Sequence, residues 1–314
     1  MIQVLLLTET QTLTGGEELL DQPGPKWVDI LQPTEQELLR LQERFGLHKL
    51  AIEDCLHLDQ RPKLEEYPNH QFIVLQGFTA STEDVCELTL HEQHFFLGPD
   101  WLISVHELPF EGIEHVRKRV LDDRLLMNGR GVDFLLYLLA DALMDRNFPL
   151  LDRFNEELED LESAIFENPK PEQQQRTFEL KRALVTLRRV LSPQRDVLGF
   201  LARRGVPNVH ERTALYFRDV YDHLIRLHEQ IDAGRDLLGN VMEAYLSMVA
   251  NRTNDITKQL TIFATIFLPL SFITGFFGQN FDVLGQKGFF WLMLASVFGL
   301  PVVLMFWFRS KQWI

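Results

Sequence analysis

Two stretches without a single charge constrain this chain more than any other feature. Between Lys258 and Asp282 run 23 residues, QLTIFATIFLPLSFITGFFGQNF, and between Lys287 and Arg309 run 21 more, GFFWLMLASVFGLPVVLMFWF. A helix of about 20 apolar residues crosses a hydrocarbon core of ~30 Å, and each run is long enough. A buried helix of a soluble protein meets the same length test. Two such runs closing the chain, with Trp291, Trp307 and Trp313 suited to a headgroup belt, favour two membrane spans.

Basic residues set the expected orientation. Arg252 and Lys258 precede the first run, Arg309 and Lys311 follow the second, and only Lys287 lies between. Lys and Arg collect on the cytoplasmic side, so both chain ends are expected there, in an inner (plasma) membrane. The loop from Gly278 to Lys287 then faces outward. From residue 259 onward the charges are Asp282, Lys287, Arg309 and Lys311, a surplus of two positive; the chain's −14 therefore leaves −16 for the part before. Such acidity argues against nucleic acid and suits cations or basic surfaces. Cys55 and Cys86 show neither metal-ligand spacing nor a disulfide framework and are expected reduced. The start, MIQVLLLTET, lacks a basic opening and a cleavage site, so it reads as a strand rather than a signal peptide. No phosphate loop and no nucleophile with a paired base is present, and no enzyme is expected.

Residues 1–131 read as an α/β domain. IQVLLLT, KWVDIL, QFIVLQGF, CELTLHEQHFFLG and WLISVHE are rich in β-branched and aromatic residues. Thr34 and Glu37 predict a capping box opening a helix with Leu38, Leu41 and Phe45 on one face and Gly46 as its stop. Another helix is expected over 50–58. From Val132 the chain is helical: one helix to about Phe166, a turn at 168–171, and a second from Glu172 to Arg204, together a hairpin over 132–208. Glu156, Glu157, Glu159, Asp160 and Glu162 on the first face Arg176, Lys181, Arg182, Arg188 and Arg189 on the second, which predicts pairing along solvated faces in preference to a dedicated ion-binding surface.

The third long helix carries the most information. Val220, Leu224, Leu227, Ile231, Gly234, Leu238, Val241, Tyr245 and Met248 step by four and three, a seam repeating every 3.5 residues. A stalk over 209–258 would run on into the first span as a helix of about 65 residues, ~100 Å long. It could transmit movement of the soluble part. Where the seam meets the span, Asn254, Thr257, Thr261, Ala264, Leu268, Ser271, Gly275 and Gly278 take over, all small or polar except Leu268. A helix in lipid turns such a stripe toward partner helices or a water-filled path. The stripe alone leaves both open; Asn254 and Asn280 at its two ends tilt toward a pore. Neutral amide and carbonyl oxygens suit hard cations, and Mg2+ sheds water reluctantly, so a neutral ring could hold the hydrated ion. One chain offers one lining helix, so a pore needs a ring of identical subunits.

Thr274-Gly275-Phe276-Phe277-Gly278-Gln279-Asn280-Phe281, closing the first span before a short loop, resembles the signature of the CorA magnesium-transporter family. So do Tyr216-Phe217-Arg218-Asp219-Val220-Tyr221-Asp222-His223, the basic tail from Arg309 to Ile314, and, earlier, Gln60-Arg61-Pro62-Lys63-Leu64-Glu65 with Asn69-His70. The likeness covers nearly the whole chain. It implies a funnel-shaped homopentamer: an α/β cytoplasmic domain, long helices and a two-helix C-terminal transmembrane hairpin (259–278 and 288–308), with an outer loop at 279–287 and a cytoplasmic tail at 309–314. By the same resemblance Gly278, Gln279 and Asn280 form an outer selectivity ring. Asn254, Thr257, Leu260, Ala264, Leu268, Ser271 and Gly275 line the pore, and Leu260 and Leu268 are candidates for apolar constrictions. Leu260 lies off the small-residue stripe and rests on the resemblance alone. The family's intersubunit regulatory metal site maps to Asp219, with Asp84 of a neighbour as candidate partner and Glu243 as a second acidic position.

The chain departs from the family where Gly-Met-Asn preceded by Tyr becomes Gly-Gln-Asn preceded by Phe277, which adds amide donors and acceptors at the outer ring and removes a hydroxyl. Asp222, Glu229, Asp236 and Glu243, spaced by sevens, read first as a solvated face. His91 and His94 in a strand, and His223 and His228 on a helix, are poorly spaced for chelation, and no His–Cys cluster suits zinc. The expectation is potential-driven uptake of Mg2+ under control of intracellular Mg2+. A zinc or cobalt transporter of the same architecture is one alternative; a membrane-anchored scaffold or sensor without transport is another.

Overall fold

The computed structural model describes residues 2–8, 12–57, 60–123, 125–279 and 287–313. The chain divides into two compact units, Met1–Ala164 with Lys170–Met242, and Ile165–Pro169 with Glu243–Ile314.

The first unit holds a seven-stranded mixed sheet in the order β2-β1-β3-β7-β6-β5-β4. The expected strands are present as β1 (Ile2–Leu7), β3 (Lys26–Leu31), β5 (Gln71–Ala80), β6 (Leu88–Leu97) and β7 (Trp101–His106). Two further short strands, β2 (Thr12–Gly15) and β4 (Lys63–Glu66), complete it. Neighbours are antiparallel except β3 and β7, which run parallel in register from Lys26↔Trp101 to Leu31↔His106. Both faces of the sheet are covered, which is why β5 reads as an almost unbroken apolar run. One face sets Val28, Ile30, Phe72, Val74, Phe96 and Ile103 against Leu38, Leu41 and Ile52 of α1 (Glu35–Phe45) and α2 (Lys49–Leu56). Against the sheet packs α4 (Val132–Asp145), itself packed on α3 (Glu111–Asp122).

Helix α1 realises its sequence signals in full. The Thr34 side chain accepts from the Glu37 amide, the Glu37 carboxylate accepts from the Thr34 amide at 2.8 Å, and Gly46 closes the helix at φ 67°. A residue with a side chain is strained in that left-handed conformation.

The helix expected from Val132 to Phe166 is two helices, α4 and α5 (Asn147–Glu167), parted at Arg146. Pro149 lacks the N–H that would reach back to residue 145, and its ring crowds that carbonyl. Asn147 covers the break by donating to the Leu143 and Met144 carbonyls, 3.1 Å each. Helix α6 spans Pro171–Leu201 and α7 spans Glu211–Phe277. Along α7 the seam is buried: Val220, Leu224, Leu227 and Ile231 are fully inaccessible, and Gly234 admits Leu184 of α6 and Leu158 of α5. Of the acid–base pairing expected between α5 and α6, the structure has Arg176 with Glu157, whereas Arg188 turns to Asp232 of α7 at 3.1 Å.

Strand β4 pairs only with Gln71–Val74, so on the edge away from β6 the rest of β5 has no neighbouring strand among the described residues. Side chains take its place. The Gln194 amide accepts from the Gln76 N–H at 2.9 Å and donates to the Gln76 carbonyl at 2.8 Å; Asn147 accepts from Phe78 N–H at 3.3 Å.

The second unit holds the C-terminal part of α7 and α8 (Lys287–Ser310), which supply two helical segments long and apolar enough to cross a membrane. Lys258 donates to the Gln312 carbonyl at 3.2 Å, and Phe308 is buried between Trp307 and Trp313.

Candidate functional site

Within the first span, partly covered residues fall at Ile262, Thr265, Ile266, Pro269, Leu270, Ile273 and Phe277. At 100° per residue this line lies opposite the stripe of small and polar residues. Asn254, Thr257, Ala264, Leu268, Ser271 and Gly275 are exposed, as is Leu260 beside them. Thr261 donates its hydroxyl to the Thr257 carbonyl at 2.8 Å and Thr274 to Leu270 at 2.9 Å, so neither proton needs water. The helix winds out at Gly278 and Gln279, whose N–H groups reach back to Thr274 and Phe276 at 3.0 and 3.3 Å. Its carbonyl end carries partial negative charge, which favours a cation. Gly278 and Gln279 are exposed there; Asn280 lies outside the described residues.

A second constellation centres on Asp219. His223, one turn on, places Nε2 3.8 Å from the Asp219 carboxylate and Nδ1 3.3 Å from Asp145 and 4.0 Å from Asp141, both on α4. Ligand atoms of Asp141, Asp145 and His223 all lie within 4.8 Å of one another. Burial and the neighbouring Asp145 push the Asp141 carboxyl up to about 6, with Asp219 adding to the effect. The carboxylates of Asp141 and Asp145 with the His223 imidazole form a donor set that fits a divalent cation, whose charge would relieve their repulsion, while Asp219 lies beside the other ring nitrogen. Sequence spacing within α7 did not reveal it, because Asp141 and Asp145 come from another helix; that pair, one turn apart in a largely apolar helix, was the available signal.

The other expected regulatory residues lie apart from this cluster in their contacts. Asp84, in the β5–β6 connection, accepts from Arg176 of α6 at 2.7 Å and from the Cys86 amide at 2.8 Å. Those bonds hold its carboxyl below the usual range. Glu243, Asp222, Glu229 and Asp236 are exposed, as a solvated face predicts. His91 meets Thr79 at 2.9 Å. His94 bridges Cys55 Sγ at 3.1 Å and Glu92 at 2.6 Å, a histidine–cysteine contact that sequence spacing did not show. Burial pushes the Cys55 thiol up, so it stays protonated and is a poor metal ligand.

Fold and site together define a membrane protein with two C-terminal spans and a large α/β and helical region before them. The chain belongs to the family described as CorA-like Mg2+ transporter protein, whose sequence profile matches residues 23–310. It is 37% identical over 298 residues to the cobalt/magnesium transport protein CorA of Thermotoga maritima, covering 94% of this chain and 85% of that one. It is 32% identical to the putative metal ion transporter YfjQ of Bacillus subtilis, covering 98% and 97%. The structure of the CorA magnesium transporter from Methanocaldococcus jannaschii superposes with a TM-score of 0.86 over 100% of this chain and 99% of that one, at 23% identity, and so shares its fold.

Proposed function

We propose that this chain is one subunit of a homopentameric channel that admits hydrated divalent cations, Mg2+ first among them, along an inside-negative potential. The observation that carries the reading is the exposed stripe from Asn254 to Gly275 on the first span, opposite the face covered within the chain. Five copies of that stripe around an axis would line a path with amide, hydroxyl and carbonyl oxygen. Gly278, Gln279 and Asn280 would ring its outer mouth, and Leu260 and Leu268 would gate it by dewetting. A divalent ion gains ~4.6 kcal/mol per 100 mV on entry, twice the single-charge value, so no nucleotide is required.

In this reading residues 1–131, 132–208 and 209–258 are the cytoplasmic domain, hairpin and stalk. Residues 259–278 and 288–308 span the inner membrane, 279–287 face outward and 309–314 return to the cytoplasm. Intracellular Mg2+ at Asp219, with Asp141, Asp145 and His223 beside it, would hold the ring closed; Glu243 would add a second acidic position. A contribution from Asp84 of a neighbour requires its carboxylate to leave Arg176. The imidazole of His223 favours Co2+ or Zn2+ over Mg2+ at that cluster and supports a second reading, transport of those ions.

Uptake of Mg2+, Co2+ and Zn2+ into liposomes carrying the purified protein tests both, with and without an inside-negative potential and beside an Asn280→Ala control. Potential-driven Mg2+ uptake lost in the variant is the expected result. Flux of Co2+ or Zn2+ without Mg2+ selects the second reading, and no flux of any ion returns the protein to a membrane-anchored scaffold.

A further inference from the structure

We propose that the C-terminal end of α8 and the stretch of α7 beside it form a binding site for the phosphate headgroup of an anionic phospholipid. Lys258 is the last charge before the first uncharged run, and Arg309 is the first after the second. The bond from Lys258 to the Gln312 carbonyl, 3.2 Å, brings those two boundaries to one level. A hydrocarbon core of ~30 Å is flanked on each side by roughly 5–7 Å of headgroups, so this level is where lipid phosphates lie.

The junction has a defined geometry. The Gln312 N–H donates to the Arg309 carbonyl at 3.1 Å and the Trp313 N–H to the Phe308 carbonyl at 3.0 Å, the paired bonds of a Schellman turn. Its apolar contact is the stack of Trp313 on Phe308, rings 5.6 Å apart, which leaves Phe308 only 1% exposed. The turn holds Gln312 at φ 57°, a left-handed conformation that strains a residue with a side chain and that glycine usually fills. This turn brings the tail back against α7, where Lys258 takes its carbonyl.

The cations gathered there lack counter-ions. Lys258 has the Gln312 carbonyl as its one partner among the described residues, which leaves two of its three donors over, and the side chains of Arg309 and Lys311 have none. Asp255 is the one acid between Glu243 and Asp282, and no acidic side chain follows Asp282. Exposed apolar residues flank the cations on both helices, Leu260 and Phe263 on α7 and Phe306 and Trp307 on α8. A ligand that satisfies both features carries anionic oxygen at one end and hydrocarbon at the other. Arg309 suits a phosphate diester as a two-pronged donor, Lys258 and Lys311 suit it as point charges, and the exposed rings of Trp307 and Trp313 suit the headgroup level. A soluble phosphate would leave the apolar surface unused. The inference rests on both helices spanning a membrane and not on which ion the protein carries.

Native mass spectrometry of the full chain in detergent, with equal amounts of dioleoyl phosphatidylglycerol and dioleoyl phosphatidylcholine, tests it. Phosphatidylglycerol adducts are expected to outnumber phosphatidylcholine adducts at least about fivefold, the factor one basic residue contributes near an anionic lipid surface. Lys258→Gln and Arg309→Gln should each cut that preference about fivefold. Lys287→Gln, which removes a cation from the other end of α8, should leave it unchanged. Gln312→Pro keeps every charge but forbids the left-handed turn, so it too should abolish the preference, whereas Gln312→Gly keeps the turn and should preserve it. Glycerol 3-phosphate, which has the phosphate without the acyl chains, should not displace the lipid. The comparison of the two lipids on the parent chain does not depend on any variant folding. Equal adducts of both lipids, a preference untouched by Gln312→Pro or lowered equally by Lys287→Gln, or displacement by glycerol 3-phosphate overturns the proposal.

Discussion

The imidazole of His223 on α7 lies 3.3 Å from the carboxylate of Asp145 on α4 and 3.8 Å from that of Asp219 on its own helix. A divalent ion seated there binds the folded chain and not the unfolded one, so it stabilises by mass action, ~2.7 kcal/mol at a hundred times its Kd. Mg2+ or Co2+ is expected to raise the melting temperature of the full chain in detergent. The rise should vanish in Asp145→Asn and shrink in His223→Gln. In the absence of divalent ions Asp141→Asn should melt no lower than the parent, because it removes one of the crowded carboxylates. A metal-dependent rise that survives in both Asp145→Asn and His223→Gln would place the ion elsewhere.

Asp29 anchors a buried ionic cluster on the opposite side of the sheet from α1. It accepts from the Ser104 hydroxyl at 2.5 Å, from His106 at 3.2 Å and from Arg117, whose guanidinium lies over the Trp27 ring. Removing one partner of such a group leaves the other buried and uncompensated, at about 3–5 kcal/mol. Arg117→Met is expected to lower the unfolding free energy from denaturant titration by that amount, and adding Asp29→Leu to recover a large part of the loss.

The pH profile of stability should bear two histidine signatures of opposite sign. Burial of the His106 ring lowers its pKa, but both ring nitrogens face acceptors, Asp29 and the Leu108 carbonyl at 2.8 Å, and these outweigh burial so that its pKa is raised. Its contribution is fully present below the unfolded value near 6.5 and is lost as pH rises through the raised folded value. His70 is the reverse case. Its folded value near 4 costs stability as pH falls from 6.5 toward 4. Unfolding followed from pH 4 to 8 should show the upper loss flattened in His106→Gln and the lower one flattened in His70→Phe; unchanged profiles in both would refute this assignment.

Two glycine substitutions should move stability in opposite directions. A Cβ on Gly77 in β5 would stand 2.6 Å from Leu143 Cδ1 and 3.3 Å from the Leu143 backbone oxygen, so Gly77→Ala is expected to cost about 1–3 kcal/mol through overpacking. On α7 a Cβ at Gly239 meets nothing within 4 Å, and Gly239→Ala is expected to stabilise by roughly 0.5–1 kcal/mol from helix propensity alone. Equilibrium denaturation of both variants checks the contrast.

What the sequence made legible was local. The capping box at Thr34 and Glu37, the seam from Val220 to Val241 and the two uncharged runs each lie within one element, where spacing dictates which residues share a face. Strands β2 and β4 escaped because four residues carry too little pattern, and α3 because a mixed stretch follows β7 directly. Pro149 did mark the break at Arg146, but the apolar run of LLYLLADALM masked it. Sites assembled between elements were the least visible. Asp141 and Asp145 meet His223 only because α4 packs near α7, and Arg176 reaches Asp84 across 92 positions of sequence. Testing histidine spacings within one helix could not have found either.

The Gln194 side chain that brackets both backbone groups of Gln76 also has a bearing on how this chain avoids its own kind. An unfinished strand margin is a template onto which any extended segment can zip, and during synthesis many copies of β5 are present at once. By lending an amide from a helix, the fold withdraws that template without spending residues on a longer β4. A chain with an aliphatic residue at 194 would leave the Gln76 N–H and carbonyl without those bonds, so clumping during expression is expected together with a lower melting point.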